Sequence, residues 1–153
     1  MKTKQDINWA RAVCASHEDK QQTEEQRAVL YGIRVGLGLI KYKWPMYTAA
    51  FADMLNDACN SYTPDRKTVF RPIYLHSEER EKTAADLIAF RELTGKCITE
   101  MTMPPQYVLL LRGMCVAMAW AAELPKGGLA LQRMLDEEAL SKVLPRNEAG
   151  KYL

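Results

Sequence analysis

Histidine is scarce in this chain of 153 residues, which contains only His17 and His76. Zinc sites and hydrolytic triads depend on histidine, because imidazole binds metals and exchanges protons near neutral pH. His17 lies in a polar linker, where we interpret it as a solvated surface residue. His76 precedes a predicted helix, and we interpret it as a polar flanking residue, with a pH switch as the alternative. The sequence therefore predicts no metal site and no histidine-based catalytic centre.

Cysteines are few and well separated, at positions 14, 59, 97 and 115, so the chain has no CxxC motif. This spacing is typical of single buried thiols in a reducing compartment and argues against a disulfide framework. Cys115 falls in the most apolar segment, where burial should raise the pKa of its thiol and make it unreactive. The first residues, MKTKQD, are polar and no apolar stretch follows, so we expect no secretory signal and a cytoplasmic protein.

The glycine-rich loops that bind nucleotides are also missing. A phosphate-binding loop needs a glycine five residues before Gly95, where Phe90 stands, and a hydroxyl after Lys96, where Cys97 stands. The glycines at 36 and 38 lack the third glycine of a dinucleotide-binding fingerprint. We therefore predict no nucleotide and no other cofactor.

Charged residues do not form an evident catalytic group. Asp53 and Asp57 lie one helical turn apart, but a metal site would need a further carboxylate from another helix. We interpret both as part of a solvated face, and Glu123 as an acid that reaches solvent. Arg112 interrupts an apolar helix, and we expect it to pair with an acid of another helix or to face a partner. No residue is predicted to be catalytic.

Composition predicts one helical domain over residues 1–153, with an N-terminal arm and short helix at 1–22 and a loose tail at 145–153. Hydrophobic residues make up 48% of the chain and charged residues 26%, which is ordinary for a globular protein. The net charge is only +2, so a nucleic-acid-binding role would have to rest on a local patch. The longest apolar run, residues 107–124, is interrupted by Arg112 and is too short to span a bilayer, so we expect no membrane partner.

Apolar periodicity, prolines and capping residues predict an all-α fold, a compact bundle of five or six helices. The predicted helices cover approximately residues 6–15, 24–40, 45–60, 78–95, 105–124 and 129–144. The fifth is apolar nearly all round and therefore belongs at the centre of the bundle. Residues 61–76 are predicted to form a long ordered loop or a short edge ribbon, since Pro72 would interrupt a central strand.

The second helix carries conflicting signals. Residues 23–26 have the pattern of a capping box, but alternation within residues 29–40 is also compatible with a strand. Glycines weaken a helix by about 1 kcal/mol each relative to alanine. We favour a helix, in which Gly32 and Gly36 lie one turn apart and let a neighbouring helix approach closely.

Residues 41–76 contain seven of the thirteen aromatic residues, interleaved with lysine and arginine. Aromatic and cationic side chains give large binding energies at protein interfaces. We therefore predict that this stretch contacts a partner, although buried rings above a solvated basic rim would give the same pattern. The predicted contact residues are Lys41, Tyr42, Lys43, Trp44, Tyr47, Arg66, Lys67, Phe70, Arg71 and Tyr74.

Two blocks of sequence resemble the replication-B proteins of temperate enterobacterial phages. They are TEEQRAVLYGIRVGLGLIKYKW at 23–44 and DACNSYTPDRKTVFRPIYLH at 57–76, and the resemblance extends over residues 23–90. That family consists of small accessory proteins taken to load the host replicative helicase. The resemblance contains no catalytic motif, so it assigns no functional residue in this chain.

The expected function is therefore a non-enzymatic accessory protein that binds a host protein, most concretely a loader or modulator of the replicative helicase. Three alternatives remain open at this point. The same aromatic–basic stretch would suit single-stranded nucleic acid. A phage-encoded inhibitor of a host defence system would have similar features. A small enzyme using Asp53, Asp57 or Glu123 would need a pocket that brings these carboxylates together.

Overall fold

The computed structural model describes residues 1–17, 20, 22–41, 48–63 and 82–143. Within these ranges the chain forms six α-helices and no β-strand, which confirms the predicted all-α class. The helices are α1 (Lys4–Ser16), α2 (Glu24–Lys41), α3 (Thr48–Ser61), α4 (Ala84–Glu100), α5 (Pro105–Ala121) and α6 (Pro125–Glu137), followed by a 3₁₀ helix at Leu140–Val143. Residues 29–40 are helical throughout, so the alternative of a strand at that position is excluded.

Three sequence predictions fall wholly or mainly outside the described ranges. The loop or ribbon expected at 61–76 is described only for its first three residues, which end α3 and leave it. The tail expected at 145–153 lies outside these ranges, as does His76.

Helix α5 is the centre of the fold, as its all-round apolar sequence predicts. It packs against α2, α4 and α6, and α1 packs on the outer side of α2. Its buried residues are Leu109, Leu110, Leu111, Gly113, Met114, Ala117, Met118, Ala119, Trp120 and Ala121. Burial on so many sides means that α5 contributes a large share of the apolar surface that the bundle removes from water.

The contact between α2 and α5 depends on glycine. A Cβ atom at Gly32 would lie 1.8 Å from the carbonyl oxygen of Leu110, and one at Gly113 would lie 2.3 Å from the carbonyl oxygen of Val29. Gly36 is also tight, since its Cβ would lie 2.8 Å from that of Ala117. The two backbones therefore touch directly, which confirms the close approach expected from Gly32 and Gly36.

Capping boxes fix the beginnings of α1, α2 and α4. At α2, Thr23 Oγ1 accepts from Gln26 N–H at 3.1 Å while Gln26 Oε1 accepts from Thr23 N–H at 3.0 Å, as predicted. Helix α1 begins earlier than the predicted start near residue 6, because its cap is Thr3: Thr3 Oγ1 accepts from Asp6 N–H and the Asp6 carboxylate accepts in return. These reciprocal bonds satisfy N–H groups that the first turn leaves without partners.

Helix α4 differs from the prediction at both ends. It begins after Thr83, whose hydroxyl accepts from Asp86 N–H, whereas a start after Ser77 was expected. It continues through Gly95 to Glu100, although a stop at Gly95 was predicted. A Cβ atom at Gly95 would meet nothing within 4 Å, so no close packing explains this glycine.

Helices α5 and α6 meet at a bend of 94°. The first residues of α6 are not regular: Lys126 has an extended ψ of 111° and Gly127 has a φ of 89°, a left-handed conformation that favours glycine. Among the described helices, none alone is long and apolar enough to span a bilayer, and α5 with α6 reaches that length and composition only as a bent pair.

The expectation that His17 is solvated was wrong. Its side chain is only 3% exposed, because it caps the C-terminus of α1 where that helix joins the core. Burial, with a smaller effect of Lys20, lowers the pKa of the imidazole, and its Nε2 has no hydrogen-bond partner among the described residues. Gln22 Nε2 donates to the His17 carbonyl, which brings Gln22 to the end of α1.

We predict that alanine at the α2–α5 contact destabilises the protein strongly. Gly32→Ala or Gly113→Ala should lower the free energy of unfolding by about 3 kcal/mol, because the new methyl group meets backbone atoms that cannot rotate away. Gly38→Ala is the matched control: no atom lies within 4 Å of its Cβ position, and helix propensity should raise stability by about 1 kcal/mol. Urea unfolding followed by circular dichroism measures all three, and equal effects at Gly32 and Gly38 would contradict the packing.

A second prediction concerns the pH dependence of stability. The pKa of His17 is 6.5 in the unfolded reference and lower in the fold, so below about pH 6.5 the unfolded chain binds a proton that the native state does not. Wild-type stability should therefore fall as the pH falls from about 7.5 to about 5.5, a window above the titration of the carboxylates. Urea unfolding at both values should show a smaller fall for His17→Leu. An equal fall in both proteins would exclude His17 as the cause.

Candidate functional site

The predicted aromatic–basic contact site falls almost wholly outside the described ranges. Lys41 is the last residue of α2, and the other nine predicted contact residues are not described. One further ring of the stretch is described: Tyr62 is only 6% exposed, and its ring lies 5.0 Å from that of Tyr31. At least this aromatic residue belongs to the core, while the predicted contact residues themselves stay a prediction.

The carboxylates considered for catalysis are separate and exposed. Asp53 and Asp57 lie on the solvent side of α3, which confirms the interpretation of a solvated face. Glu123 follows α5 and is also exposed. Its Oε2 lies 2.8 Å from the N-terminal ammonium nitrogen of Met1, whose hydrogen bond and charge lower the pKa of the Glu123 carboxyl. Among the described residues, no group of three or more His, Cys, Asp or Glu side chains is placed to hold a metal ion.

A groove of about 560 Å³ opens between α4, α5, the bent start of α6 and the 3₁₀ helix. Its floor contains aliphatic side chains from all four elements, and its charged groups are mainly cations. The apolar lining residues are Ile98, Val116, Ala130 and Val143, and the charged ones are Arg91, Glu92, Arg112, Lys126 and Lys142. We call this feature the basic groove.

Small residues and the bend of α6 leave this space open. Gly95, Gly127 and Ala130 all line the groove, and a side chain larger than a methyl group is absent from each of them. The left-handed φ of Gly127 turns the chain sharply after α5, so that α6 leaves at an angle. Arg91 Nη2 donates to the Lys126 carbonyl at 3.3 Å, which fastens α4 to the irregular first turn of α6.

Two arginine side chains in the basic groove have unused hydrogen-bonding capacity. The Nε atoms of Arg91 and Arg112 are buried and have no hydrogen-bond partner within the described part of the chain. Arg112 was expected to pair with an acid of another helix or to face a partner. No such pairing is present within the described residues, and Arg112 lines the groove with this donor unmatched. Buried donors are normally satisfied, so an unmatched guanidinium edge favours an external acceptor.

The other charges leave the basic groove net positive. Glu92 is its one lining carboxylate and is exposed at the edge. Lys142 lies 3.6 Å from Glu137, and both side chains are about half exposed, so solvent screens this pair. Arg91, Arg112 and Lys126 therefore dominate the field inside the groove, which is suited to binding an anion and not a cation.

Cys115 also lines the basic groove, with its Sγ 3.8 Å from the Arg91 carbonyl oxygen. Burial raises the pKa of this thiol to about 11, although the nearby Arg91 and Arg112 act in the opposite direction. The expectation of a raised pKa at Cys115 is confirmed. A protonated thiol is a poor nucleophile, so Cys115 contributes apolar surface and not reactivity.

A second groove, of about 490 Å³, lies between α2, α5 and the end of α3. Glu24 and Glu25 stand at its edge, and Met103, Leu109 and the buried Tyr62 contribute to its apolar lining. Its charge is opposite to that of the basic groove, and its described lining includes no buried side-chain donor or acceptor that lacks a partner. The basic groove is therefore the stronger candidate site.

Sequence reasoning singled out Arg112 and Cys115 among the residues of the basic groove and missed its other cations. Arg112 was noticeable because a cation in an apolar helix needs a partner. Arg91, Lys126 and Lys142 look like ordinary surface residues in the sequence, and only the fold brings them together.

No family model, curated protein or solved structure matches this chain.

We predict that Cys115 reacts slowly with iodoacetamide in the native protein. With a pKa of about 11, its thiolate at about pH 8 is roughly 10²-fold less abundant than that of a free thiol. Peptide mass spectrometry should show slow labelling in buffer and rapid labelling in urea, where burial is lost. The free thiol of glutathione serves as the reference for the unperturbed rate, and rapid native labelling of Cys115 would contradict its burial.

Proposed function

We propose that this chain is a non-enzymatic accessory protein that acts by binding another protein. The observation that supports this best is the basic groove, in which arginine and lysine side chains surround an aliphatic floor. Arginine beside desolvated apolar surface is typical of the residues that contribute most to protein–protein binding. We also propose a cytoplasmic location, with which the four free thiols agree.

The chemistry of the groove favours binding over catalysis. Its thiol, Cys115, is held protonated, and its other polar groups are mainly guanidinium and ammonium groups that serve to attract and orient anions. The acids considered for catalysis, Asp53, Asp57 and Glu123, do not line it.

The concrete form of the proposal is a loader or modulator of a bacterial replicative helicase. It rests on the resemblance of residues 23–90 to the replication-B proteins of temperate phages. Such a protein works by binding one conformation of its partner more tightly than another, and this requires no chemistry of its own. The aromatic–basic stretch at 41–76 would supply anchoring rings, and its cations would speed encounter and set orientation.

We predict direct binding to the purified replicative helicase of an enterobacterial host. Biolayer interferometry at micromolar concentrations should detect the wild-type complex, and Trp44→Ala with Arg71→Ala should weaken it at least tenfold by removing a ring and a cation. The matched control is Trp9→Ala with Arg133→Ala, which removes a 43% exposed ring and an exposed cation elsewhere. Circular dichroism checks that both double variants remain folded.

Two results would oppose the proposal. Failure of the wild type to bind the helicase at micromolar concentrations would remove its concrete form. Tight, salt-dependent binding of a single-stranded oligothymidylate, lost in the Trp44→Ala and Arg71→Ala variant, would support a nucleic-acid-binding protein, because phosphate contacts release counterions.

A further inference from the structure

We propose that the basic groove binds a segment of the partner protein in which a carboxylate stands beside an aliphatic side chain. This inference rests on the proposed function and specifies the chemistry of the partner at this site. Arg91 and Arg112 would hold the carboxylate, and the aliphatic floor of the groove would hold the neighbouring side chain.

The arginines provide the anion-binding half of the site. Each guanidinium has a fixed edge formed by Nε–H and one Nη–H, which matches the two oxygens of a carboxylate. The Nε atoms of Arg91 and Arg112 are buried and have no partner within the described residues, so this N–H group of each side chain still lacks an acceptor. Arg91 uses Nη2 for the Lys126 carbonyl, and this bond holds its guanidinium in place before a ligand arrives. A donor that is already positioned loses little entropy when it binds.

The start of α6 adds positive potential on the same side. The regular part of α6 begins after the irregular residues Lys126 and Gly127, and both of these residues line the groove. The amino end of a helix carries a partial positive charge, which favours an anion there. This effect supplements the two arginines and would not create a site alone.

The aliphatic lining decides between kinds of anion. Ile98, Val116, Ala130 and Val143 contribute aliphatic side chains to the lining, and Cys115 adds an uncharged thiol. A volume of about 560 Å³ lies in the range of sites that enclose a small organic group. A hydrated ion such as phosphate would leave this apolar surface in water, whereas an aliphatic carboxylate would cover it.

Nucleic acid fits the basic groove less well. Single-stranded binding surfaces combine cations with aromatic side chains on which bases stack. The described lining of the groove contains no aromatic residue, and its cations surround one concave space and do not follow a path across the surface. A peptide segment needs only one such space to place an acidic residue and its aliphatic neighbour.

The test uses the intact protein and a minimal ligand. Isovalerate combines a carboxylate with a branched aliphatic group, and isovaleramide has the same shape without the charge. We expect isovalerate to shift the Nε–Hε signals of Arg91 and Arg112 and the amide signals of Gly95 and Gly127 in ¹⁵N-correlated NMR spectra. The shifts should saturate with a millimolar Kd, as expected for so small a ligand. Isovaleramide and inorganic phosphate should each bind at least fivefold more weakly.

Variants locate the site. Arg91→Gln and Arg112→Gln should each raise the Kd for isovalerate at least tenfold. Each substitution also removes one arginine Nε–Hε signal from the spectrum, which identifies that signal. If either change unfolds the protein, Lys126→Gln with Lys142→Gln replaces it, since both lysines are exposed and their loss should weaken binding severalfold. Arg133→Gln removes an exposed cation of α6 that does not line the groove and should leave the Kd unchanged.

Several outcomes would overturn the inference. The first is the absence of a saturable shift with isovalerate. The second is an affinity for phosphate or isovaleramide equal to that for isovalerate, and the third is an unchanged Kd in the arginine and lysine variants.

The helicase experiment separates this inference from the proposed function. Helicase binding that survives Arg91→Gln and Arg112→Gln would leave the proposed function standing and reject the groove. Isovalerate binding without helicase binding would reject the helicase and leave the anion site standing.

Discussion

The direct contact between the backbones of α2 and α5 is the constraint on which the rest of the structure depends. Gly32 and Gly113 allow each helix to meet a carbonyl oxygen of the other, with no side chain between them. This close approach places α5 deep enough for α4 and α6 to cover its remaining sides. Because α5 also carries Arg112 and Cys115, its position fixes where the basic groove lies and how deeply these side chains are buried.

The parts of the fold that follow from local chemistry could be predicted from the sequence. The capping box at Thr23 and the all-round apolar character of α5 depend on neighbouring residues alone, and both predictions were right. Gly113 was missed, although a glycine that weakens an otherwise strong apolar helix suggests a packing reason. His17 was misjudged because polar neighbours in the sequence gave no sign that the end of α1 turns into the core. The end of α4 was misplaced because Gly95 was interpreted as a stop, whereas the helix tolerates it.

The candidate site was less predictable for a clear physical reason. Its charged residues come from four successive elements and are separated by several helical turns of sequence, so no local pattern connects Arg91 with Lys126. Only Arg112 could be recognised, because a cation within an apolar helix is costly to bury and needs an explanation. That cost persists in the folded protein, where two guanidinium groups stay partly unsatisfied. The unmatched N–H groups lower the stability of the unliganded protein, and an acceptor that bound them would recover part of that free energy.

The hydrogen bond from Arg91 to the Lys126 carbonyl connects the groove to α6, and α6 in turn holds the indole of Trp120. Gln132 on α6 accepts from Trp120 Nε1 at 2.8 Å and is itself oriented by Asp136. Loss of the Arg91 bond would loosen the start of α6 and change the polarity around this indole. In a chain whose other two tryptophans are replaced, the emission spectrum of Trp120 would then act as an internal optical reporter of the contact between α4 and α6.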